Sequence, residues 1–275
     1  MPGAIELVHQ WPVDVVAAAS VIDDDVTIVG VREQIFPLAS LTKLTTAMAV
    51  LVAVEEGTLA LEDDIASLLE LPDLAPLRIA ELLSHSSGLA PDPPAQRLAP
   101  EGRRRIYSNA GYELAAVAAA RRSGIPFETY LHDAVFAPLS MRSTALIGSP
   151  ASGVTSTIDD LVRFLRELSE PRLVSSATHQ HMVTPQHPGL GGILPGFGRQ
   201  VDNSWGLGPE VRDHKSPHWT GTFNSPETYG HFGRSGTFLW WDPAARRGVI
   251  VLTTREFGDW AAVAWPHLSD AILSE

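Results

Sequence analysis

Residues 40–56, SLTKLTTAMAVLVAVEE, constrain the fold more than any other part of this 275-residue sequence. The segment consists of good helix formers with no proline and no internal glycine, and Gly57 follows as a C-terminal stop. Apolar side chains surround the predicted helix on nearly every side, so we expect it to be buried. A chain of this length with 44% hydrophobic residues can enclose a whole helix.

Strand-forming sequences lie near both ends of the chain. They predict an N-terminal hairpin, a single strand and a C-terminal hairpin: residues 15–22 with 25–32, residues 205–211, and residues 238–241 with 248–254. Helices are expected at residues 79–83, 109–121, 127–135 and 157–168, followed by a closing helix at 261–273. Residues 171–200 are rich in glycine, proline and histidine and are expected to be loops.

This order of segments predicts an α/β fold of the α+β type. An antiparallel sheet assembled from distant segments is flanked by helices and carries a mostly helical second lobe. We assign residues 1–57 and 201–275 to the sheet lobe and residues 58–200 to the helical lobe, within one domain overall.

The composition excludes several partners and chemistries. A net charge of −12 opposes binding to nucleic acid or to an anionic membrane surface. No segment approaches the ~20 apolar residues that span a bilayer. Residues 1–10 lack the basic start and apolar run of a secretory signal, so a cytoplasmic location is expected. The absence of cysteine removes disulfides, thiolate nucleophiles and cysteine-based zinc sites.

The first candidate for chemistry is a Ser-x-x-Lys sequence at the start of the apolar helix. The chain has only two lysines, and Lys43 lies three residues after Ser40, which places both side chains on one helix face. Burial lowers the pKa of a lysine, and a neutral lysine beside a serine hydroxyl is a general base. The alternative is a lysine that extends to solvent beside a serine that only caps the helix.

Two further motifs carry weaker signals when each is taken alone. Tyr107 and Asn109 form a Tyr-x-Asn sequence at a helix entry, where a helix cap and a core tyrosine are the alternative interpretation. His231 and Gly233 form a His-x-Gly sequence beside a predicted strand, where the glycine permits a close backbone approach and the histidine could be purely structural. The sequence has neither a Gly-x-Ser-x-Gly elbow nor a His-Glu-x-x-His helix, which disfavours α/β-hydrolase and metallohydrolase chemistry.

In chain order, Ser-x-x-Lys, Tyr-x-Asn and His-x-Gly form the three-part signature of β-lactamase-like serine hydrolases. The sequence resembles the class C β-lactamase and penicillin-binding-protein family over about residues 36–255. Longer blocks around and between the motifs share the resemblance: FPLASLTKLTTAMAV, ELLSHSSGL, GVTSTIDDLVRFLREL and GHFGRSGTFLWWDP. The resemblance implies a β-lactamase/transpeptidase-like catalytic domain that uses no cofactor and no metal.

The resemblance also implies catalytic roles. Ser40 is expected to attack a substrate carbonyl and form an acyl-enzyme, while Lys43 and Tyr107 share the proton transfers. The backbone N–H groups of Ser40 and Arg234 are expected to form the oxyanion hole. Four residues are expected to bind the substrate: Asn109, His231, Gly233 and Arg234. His85, in the SHSSGL block, is expected to hold a turn.

One departure from the family pattern bears on the substrate. The third motif begins with His231, where β-lactamases and penicillin-binding proteins carry lysine, and a histidine with an ordinary pKa near ~6.5 is mostly neutral at pH 7. Unless Arg234 replaces it, a fixed cation for a β-lactam carboxylate is missing. The middle residue, Phe232, either packs beneath the sheet or narrows the site.

His-x-Gly is similar to the motif of the family's esterases and D-amino-acid peptidases. We therefore expect a serine hydrolase that acts on a small ester or amide, with weak β-lactamase activity as a further option. The alternative from another class is a family member that has lost turnover and serves as a binding or regulatory protein.

Overall fold

The computed structural model describes residues 3–275. The helices are α1 (Thr42–Glu55), α2 (Ile79–Leu83), α3 (Asn109–Ser123), α4 (Phe127–Leu131), α5 (Ile158–Ser169), α6 (Ser176–Val183) and α7 (Asp259–Leu273). The strands are β1 (Val16–Ile22), β2 (Asp25–Gly30), β3 (Phe36–Pro37), β4 (Ala145–Leu146), β5 (Val154–Ser156), β6 (Gly192–Leu194), β7 (Gly198–Gln200), β8 (Glu210–Val211), β9 (Tyr229–Gly233), β10 (Thr237–Asp242) and β11 (Arg247–Thr253). Within this range every helix is too short or too polar to cross a bilayer.

The largest sheet joins the two ends of the chain. Its six antiparallel strands have the order β2-β1-β11-β10-β9-β8. Strand β1 pairs with β11 from Val16 opposite Thr253 to Ile22 opposite Arg247, so the N-terminal and C-terminal hairpins meet at this pairing. The expected antiparallel sheet built from distant segments, flanked by helices, is confirmed. Two smaller sheets, β3-β5-β4 and β6-β7, lie in the connecting segments.

The two faces of the main sheet bury different cores. On β10, Leu239 and Trp241 belong to the cluster that contains α1, whereas Phe238 and Trp240 belong to a second cluster that includes residues of α7. This division follows the two-residue period of a strand. Trp240 is tied to α7 because its Nε1 donates to Ser269 Oγ at 3.1 Å.

Helix α1 lies inside the larger core, and every residue from 42 to 53 is buried. Two of its buried polar side chains find partners in the loop that leads to β5. Thr46 Oγ1 donates to the Pro150 carbonyl at 2.6 Å, and Lys43 Nζ donates to the Ala151 carbonyl at 2.9 Å. These bonds satisfy polar groups that burial would otherwise leave without partners.

The expected start of α1 and the expected loop region both differ from the structure. The helix expected to begin at residue 40 begins at Thr42, and Ser40 lies on the preceding 3₁₀ turn, Ala39–Leu41. Loops were expected throughout residues 171–200, but residues 176–183 form α6, which the Ser175 hydroxyl caps by accepting from the Thr178 N–H at 3.2 Å. In the same range, β6 and β7 pair as a hairpin.

The strand expected at residues 205–211 is wrong over most of its length. Only β8 remains, and Trp205 forms isolated bridges to Gln186 and Glu210. Gly206 and Gly208 interrupt the segment, which fits the weakening effect of glycine on strands. The division into a sheet lobe and a helical lobe at the stated boundaries stays a prediction.

The hydrogen bond from Thr46 to the loop before β5 predicts that two adjacent threonines contribute differently to stability. Thr46→Val should lower the free energy of unfolding by about 1 kcal/mol, because the Pro150 carbonyl loses its donor. Thr45→Val is the matched control, since Thr45 Oγ1 bonds only to the Thr42 carbonyl within the same helix, and it should change stability by less than about 0.5 kcal/mol. Urea unfolding measures both variants, and equal losses would contradict the argument.

Candidate active site

Ser40 lies on the short turn between β3 and α1 and is partly exposed. The preceding residue, Ala39, has φ +47°, a left-handed conformation that is uncommon outside glycine. Among residues 3–275, no protein acceptor takes a hydrogen bond from the backbone N–H of Ser40 or of Arg234. These two N–H groups are therefore free to bind another acceptor.

Gly233 brings the end of β9 against the turn that carries Ser40. A Cβ atom at this position would lie 2.3 Å from the Leu38 carbonyl oxygen and 2.5 Å from Thr237 Oγ1, so a larger residue does not fit. Thr237 Oγ1 also donates to the Leu38 carbonyl, at 3.0 Å. The backbone that approaches Gly233 is thus that of the chain itself, and a substrate contact at Gly233 stays a prediction.

The Lys43 amine is fully buried, which excludes a lysine that extends to solvent. Its Nζ donates to Asn109 Oδ1 at 2.6 Å and to the Ala151 carbonyl at 2.9 Å, and it lies 4.7 Å from the centre of the Tyr107 ring. An ammonium has three donors, whereas a neutral amine has two donors and a lone pair. Two protein acceptors therefore match the neutral amine and leave its lone pair available.

The surroundings of Lys43 set its pKa near neutrality. Burial lowers the pKa of Lys43 to about 7, and the negative charges of Asp92 and Glu113 limit the shift. Asp92 acts across Asn109, whose Nδ2 donates to Asp92 Oδ1 at 2.7 Å. The other lysine, Lys215, is also buried but lies 2.8 Å from Glu210. Within the described residues, Lys43 has no carboxylate at ion-pairing distance, so its proton is readily lost near pH 7.

Tyr107 lies between the lysine and a cluster of aromatic rings. Its ring centre is 4.5 Å from that of His85, 5.7 Å from that of Trp205 and 5.9 Å from that of His231. Burial raises the pKa of Tyr107, and the nearby Ser40 side chain partly opposes this shift. The Tyr107 hydroxyl is buried and has no hydrogen-bond partner of normal geometry among the described residues. It is therefore free to bind a substrate group or to transfer a proton.

His231 is a neutral hydrogen-bonding group in this site. Burial lowers the pKa of His231 to about 3, and the charge of Lys43 adds to the effect. Its Nδ1 lies 2.6 Å from the Phe232 carbonyl, which assigns the ring proton to Nδ1 as the donor. The Nε2 atom is buried with no partner in the described part of the chain, and this tautomer makes it an acceptor.

The structure settles three open points: which residue caps α3, where Phe232 packs, and whether Arg234 supplies a cation. Ser108, not Asn109, caps α3, because its hydroxyl accepts from the Gly111 N–H at 3.1 Å. Phe232 packs beneath the sheet in the core that includes residues of α7. The Arg234 side chain is 84% exposed and is 3.8 Å from Glu256, so it does not replace the missing cation of the third motif.

Three residues that contact the candidate site were not assigned to it from the sequence: His85, Trp205 and Asp92. His85 does hold a turn with φ +59°, and its Nδ1 accepts from the Ser108 N–H at 3.0 Å. It also packs on Tyr107, and its buried Nε2 has no partner among residues 3–275. Of the three, only Asp92 could have been suspected from the sequence, because it is a carboxylate in a proline-rich turn.

A concavity of about 820 Å³ opens beside Tyr107, between residues 103–107 and residues 191–201. Its size falls within the range of small-molecule sites. In the described range, no cluster of three or more histidine, aspartate or glutamate side chains is arranged to hold a metal ion.

The pKa of Lys43 can be measured directly because the chain has only two lysines. With ¹³Cε-labelled lysine, NMR should show Lys43 titrating near pH 7, far below the ordinary value of about 10.4. Asp92→Asn should lower this pKa further, because it removes a negative charge that favours the ammonium form. Asp73→Asn, at an exposed turn, is the control and should leave it unchanged. A titration near 10 would refute the assignment.

The contact at Gly233 predicts a second effect. Gly233→Ala should lower the free energy of unfolding by about 1–3 kcal/mol, because the new methyl group collides with the Leu38 carbonyl. Gly111→Ala, within α3, is the control, since its Cβ would lie 3.5 Å or more from its nearest neighbour, Leu82, and alanine favours a helix. Chemical denaturation compares the two variants. A Gly233→Ala protein as stable as the control would show that β9 does not require close contact between Gly233 and the Leu38 carbonyl.

Comparisons with known proteins agree with this architecture. The β-lactamase family profile matches residues 16–273. The crystal structure of a β-lactamase from Mycobacterium bovis is 45% identical and superposes with a TM-score of 0.93, covering 98% of each chain. EstCE1, a hydrolase with promiscuous acyltransferase activity, shares the fold at 18% identity and a TM-score of 0.82, covering 98% of this chain and 96% of that one. No curated protein sequence matches the chain. Because the profile spans nearly the whole sequence, the chain belongs to the β-lactamase family.

Proposed function

We propose that the protein is a serine hydrolase that cleaves a small ester or amide through an acyl-enzyme, with Ser40 as the nucleophile. The observation that carries this proposal is the Lys43 amine, which is fully buried and held by two acceptors without a carboxylate at ion-pairing distance. Membership of the β-lactamase family supports a hydrolase, and the buried amine supplies the base that a serine nucleophile needs.

In the first half-reaction, Ser40 Oγ forms a bond to the substrate carbonyl carbon and passes its proton to Lys43 Nζ. Lys43 is better suited to this step than Tyr107, because burial lowers the pKa of the amine and raises the pKa of the phenol. The bond to the leaving group then breaks. The leaving group takes a proton from the Tyr107 hydroxyl, which recovers one from Lys43, and Ser40 remains acylated.

The second half-reaction reverses these proton transfers. Lys43, again neutral, takes a proton from water through Tyr107 while the water oxygen attacks the acyl carbon. The bond between Ser40 Oγ and the acyl carbon breaks, Ser40 Oγ takes the proton from Lys43, and the acid product leaves.

The negative charge that develops on the carbonyl oxygen requires donors that the protein does not already use. The N–H groups of Ser40 and Arg234 meet this condition among the described residues, and Gly233 holds β9 close to the turn of Ser40. We assign the oxyanion hole to these two groups. His231 Nε2 is assigned as the acceptor for the Tyr107 or substrate hydroxyl, and the second amide hydrogen of Asn109 as a donor to the acyl side.

The third motif favours an ester or simple amide over a β-lactam. His231 is neutral at pH 7, since burial lowers its pKa to about 3, and the Arg234 side chain extends into solvent. A β-lactam carboxylate would therefore find no cation at this motif. We expect esterase or D-amino-acid peptidase activity to exceed β-lactamase activity.

The test is turnover of p-nitrophenyl butyrate, a chromogenic cephalosporin and D-alanyl p-nitroanilide. Ser40→Ala should reduce kcat/KM for the best substrate by about 10³-fold or more, because the nucleophile is lost. The kcat/KM of the unmodified enzyme should rise as pH passes through about 7, where Lys43 loses its proton. Ser67→Ala, at an exposed serine, is the control and should keep full activity.

Intact-protein mass spectrometry separates the hydrolase from the alternative of a binding protein. An acyl adduct on Ser40 that forms and decays during turnover supports the hydrolase. A stable adduct without turnover supports a binding or regulatory protein that has lost the second half-reaction. Folded protein that gives neither turnover nor adduct with any of the three substrates rejects the proposed chemistry.

A further inference from the structure

The concavity beside Tyr107 has a charge opposite to that of the whole protein. The chain carries a net charge of −12, yet three exposed guanidinium groups line this concavity: Arg103, Arg104 and Arg199. None of the three lies within ion-pairing distance of a carboxylate in the described part of the chain. No aspartate or glutamate lines the concavity.

A fourth positive charge lies beneath this surface. The buried Arg105 guanidinium donates to the carbonyls of Ser84, Gln186 and Asn203 at 2.6–3.0 Å and has no carboxylate partner within the described residues. Burial lowers the pKa of Arg105 to about 10, so it remains charged at pH 7. Its charge adds to that of the exposed arginines, because a low-dielectric surrounding screens it weakly.

Glu101, the carboxylate nearest to Arg103 in the sequence, pairs with Arg78. Two other nearby carboxylates accept hydrogen bonds. Asp92 accepts from Asn109, and Asp202 accepts from the Gly189 N–H at 2.8 Å and from the Ser204 hydroxyl at 3.1 Å. Neither forms an ion pair with the arginines of the concavity. The charges of Glu81 and Asp202 act on the buried Arg105, but no carboxylate among the described residues lies within ion-pairing distance of the three exposed arginines.

The same concavity also exposes apolar side chains that a folded protein normally covers. Val201 is 90% exposed and Ile193 is 66% exposed, and both lie on or beside the β6-β7 hairpin that forms one wall. Ile106 and two prolines continue the apolar lining. A cationic rim beside exposed apolar surface fits a ligand that has an apolar body and an anionic group.

We propose that the substrate's leaving group is an amphipathic anion, with an apolar body and a carboxylate or similar acid group that the concavity of Arg103, Arg104 and Arg199 binds. This proposal rests on the proposed hydrolase function. Tyr107 lines the concavity and is the residue assigned to protonate the leaving group, so the leaving group occupies this side of the site. Recognition of the anion takes place away from the third motif, where no cation is available.

Two esters that differ only in charge test the proposal. Both 4-acetoxybenzoate and its neutral counterpart 4-acetoxybenzamide release a para-substituted phenol after acetyl transfer to Ser40. The ratio of kcat/KM for the anionic ester to that for the neutral ester should fall on the order of 10-fold in the triple variant Arg103→Gln/Arg104→Gln/Arg199→Gln. Comparing the ratio between proteins cancels the difference in intrinsic reactivity. The ratio for the unmodified enzyme should also fall as salt is added.

The matched control removes the same number of charges elsewhere. Arg122→Gln/Arg142→Gln/Arg172→Gln replaces three exposed arginines outside the concavity and should leave the ratio unchanged. An equal fall in both triple variants would overturn the proposal, because the effect would then arise from net charge. So would a ratio that neither variant changes.

A binding measurement separates this proposal from the hydrolase function. Calorimetry with Ser40→Ala should show 4-hydroxybenzoate binding more tightly than 4-hydroxybenzamide, and the added triple substitution in the concavity should remove the preference. If Ser40-dependent turnover is absent but this preference is present, the hydrolase function fails and the anion site stands. If turnover is present but the preference is absent, the anion site fails and the hydrolase stands.

Discussion

Burial of one amine shapes the candidate active site of this protein. Lys43 lies on a helix that is enclosed on all sides, and its two acceptors are an asparagine amide oxygen and a backbone carbonyl, neither of which carries a full charge. The surroundings therefore hold the lysine without stabilising its proton strongly. Lys215 is also buried, but it differs from Lys43 because its Nζ forms an ion pair with Glu210 at 2.8 Å.

The same enclosure explains why the parts of the site come from distant segments. Helix α1 is buried from residue 42 to residue 53, and Ser40 reaches the surface only because it lies on the turn before the helix, so the remaining groups must come from other elements. Tyr107 and Asn109 come from the entry to α3, and His231 comes from β9. The close approach at Gly233 joins β9 to the turn of Ser40. Each element is held by its own packing, which keeps the polar groups in place without bonds among all of them.

Local sequence predicted the parts of the fold that depend on local pattern. The two hairpins, the buried helix and the closing helix were predicted because β-branched runs and helix formers mark them within a few residues. The Ser-x-x-Lys pair was predictable because a lysine on an apolar helix must either reach solvent or be buried with a lowered pKa. Helix α6 and the loss of the strand at residues 205–211 were not, since glycine, histidine and capping residues allow several local conformations.

The site was harder to predict where it depends on packing across the chain. His85 was assigned a structural role from its neighbours in sequence, and its position against Tyr107 follows only from the folded structure. Trp205 likewise contacts the site through ring packing that no spacing rule indicates. The arginines of the concavity are separated by about one third of the chain, so their common position could not be inferred from sequence order.

The pairing of β1 with β11 has a consequence for how the molecule forms. Val16 lies opposite Thr253, so these two strands pair only after the 236 residues between these two positions have been synthesised. Until then the enclosed helix near the N-terminus lacks part of its cover, and the chain exposes apolar surface. Contacts between such distant residues slow folding, because the long intervening chain must close first.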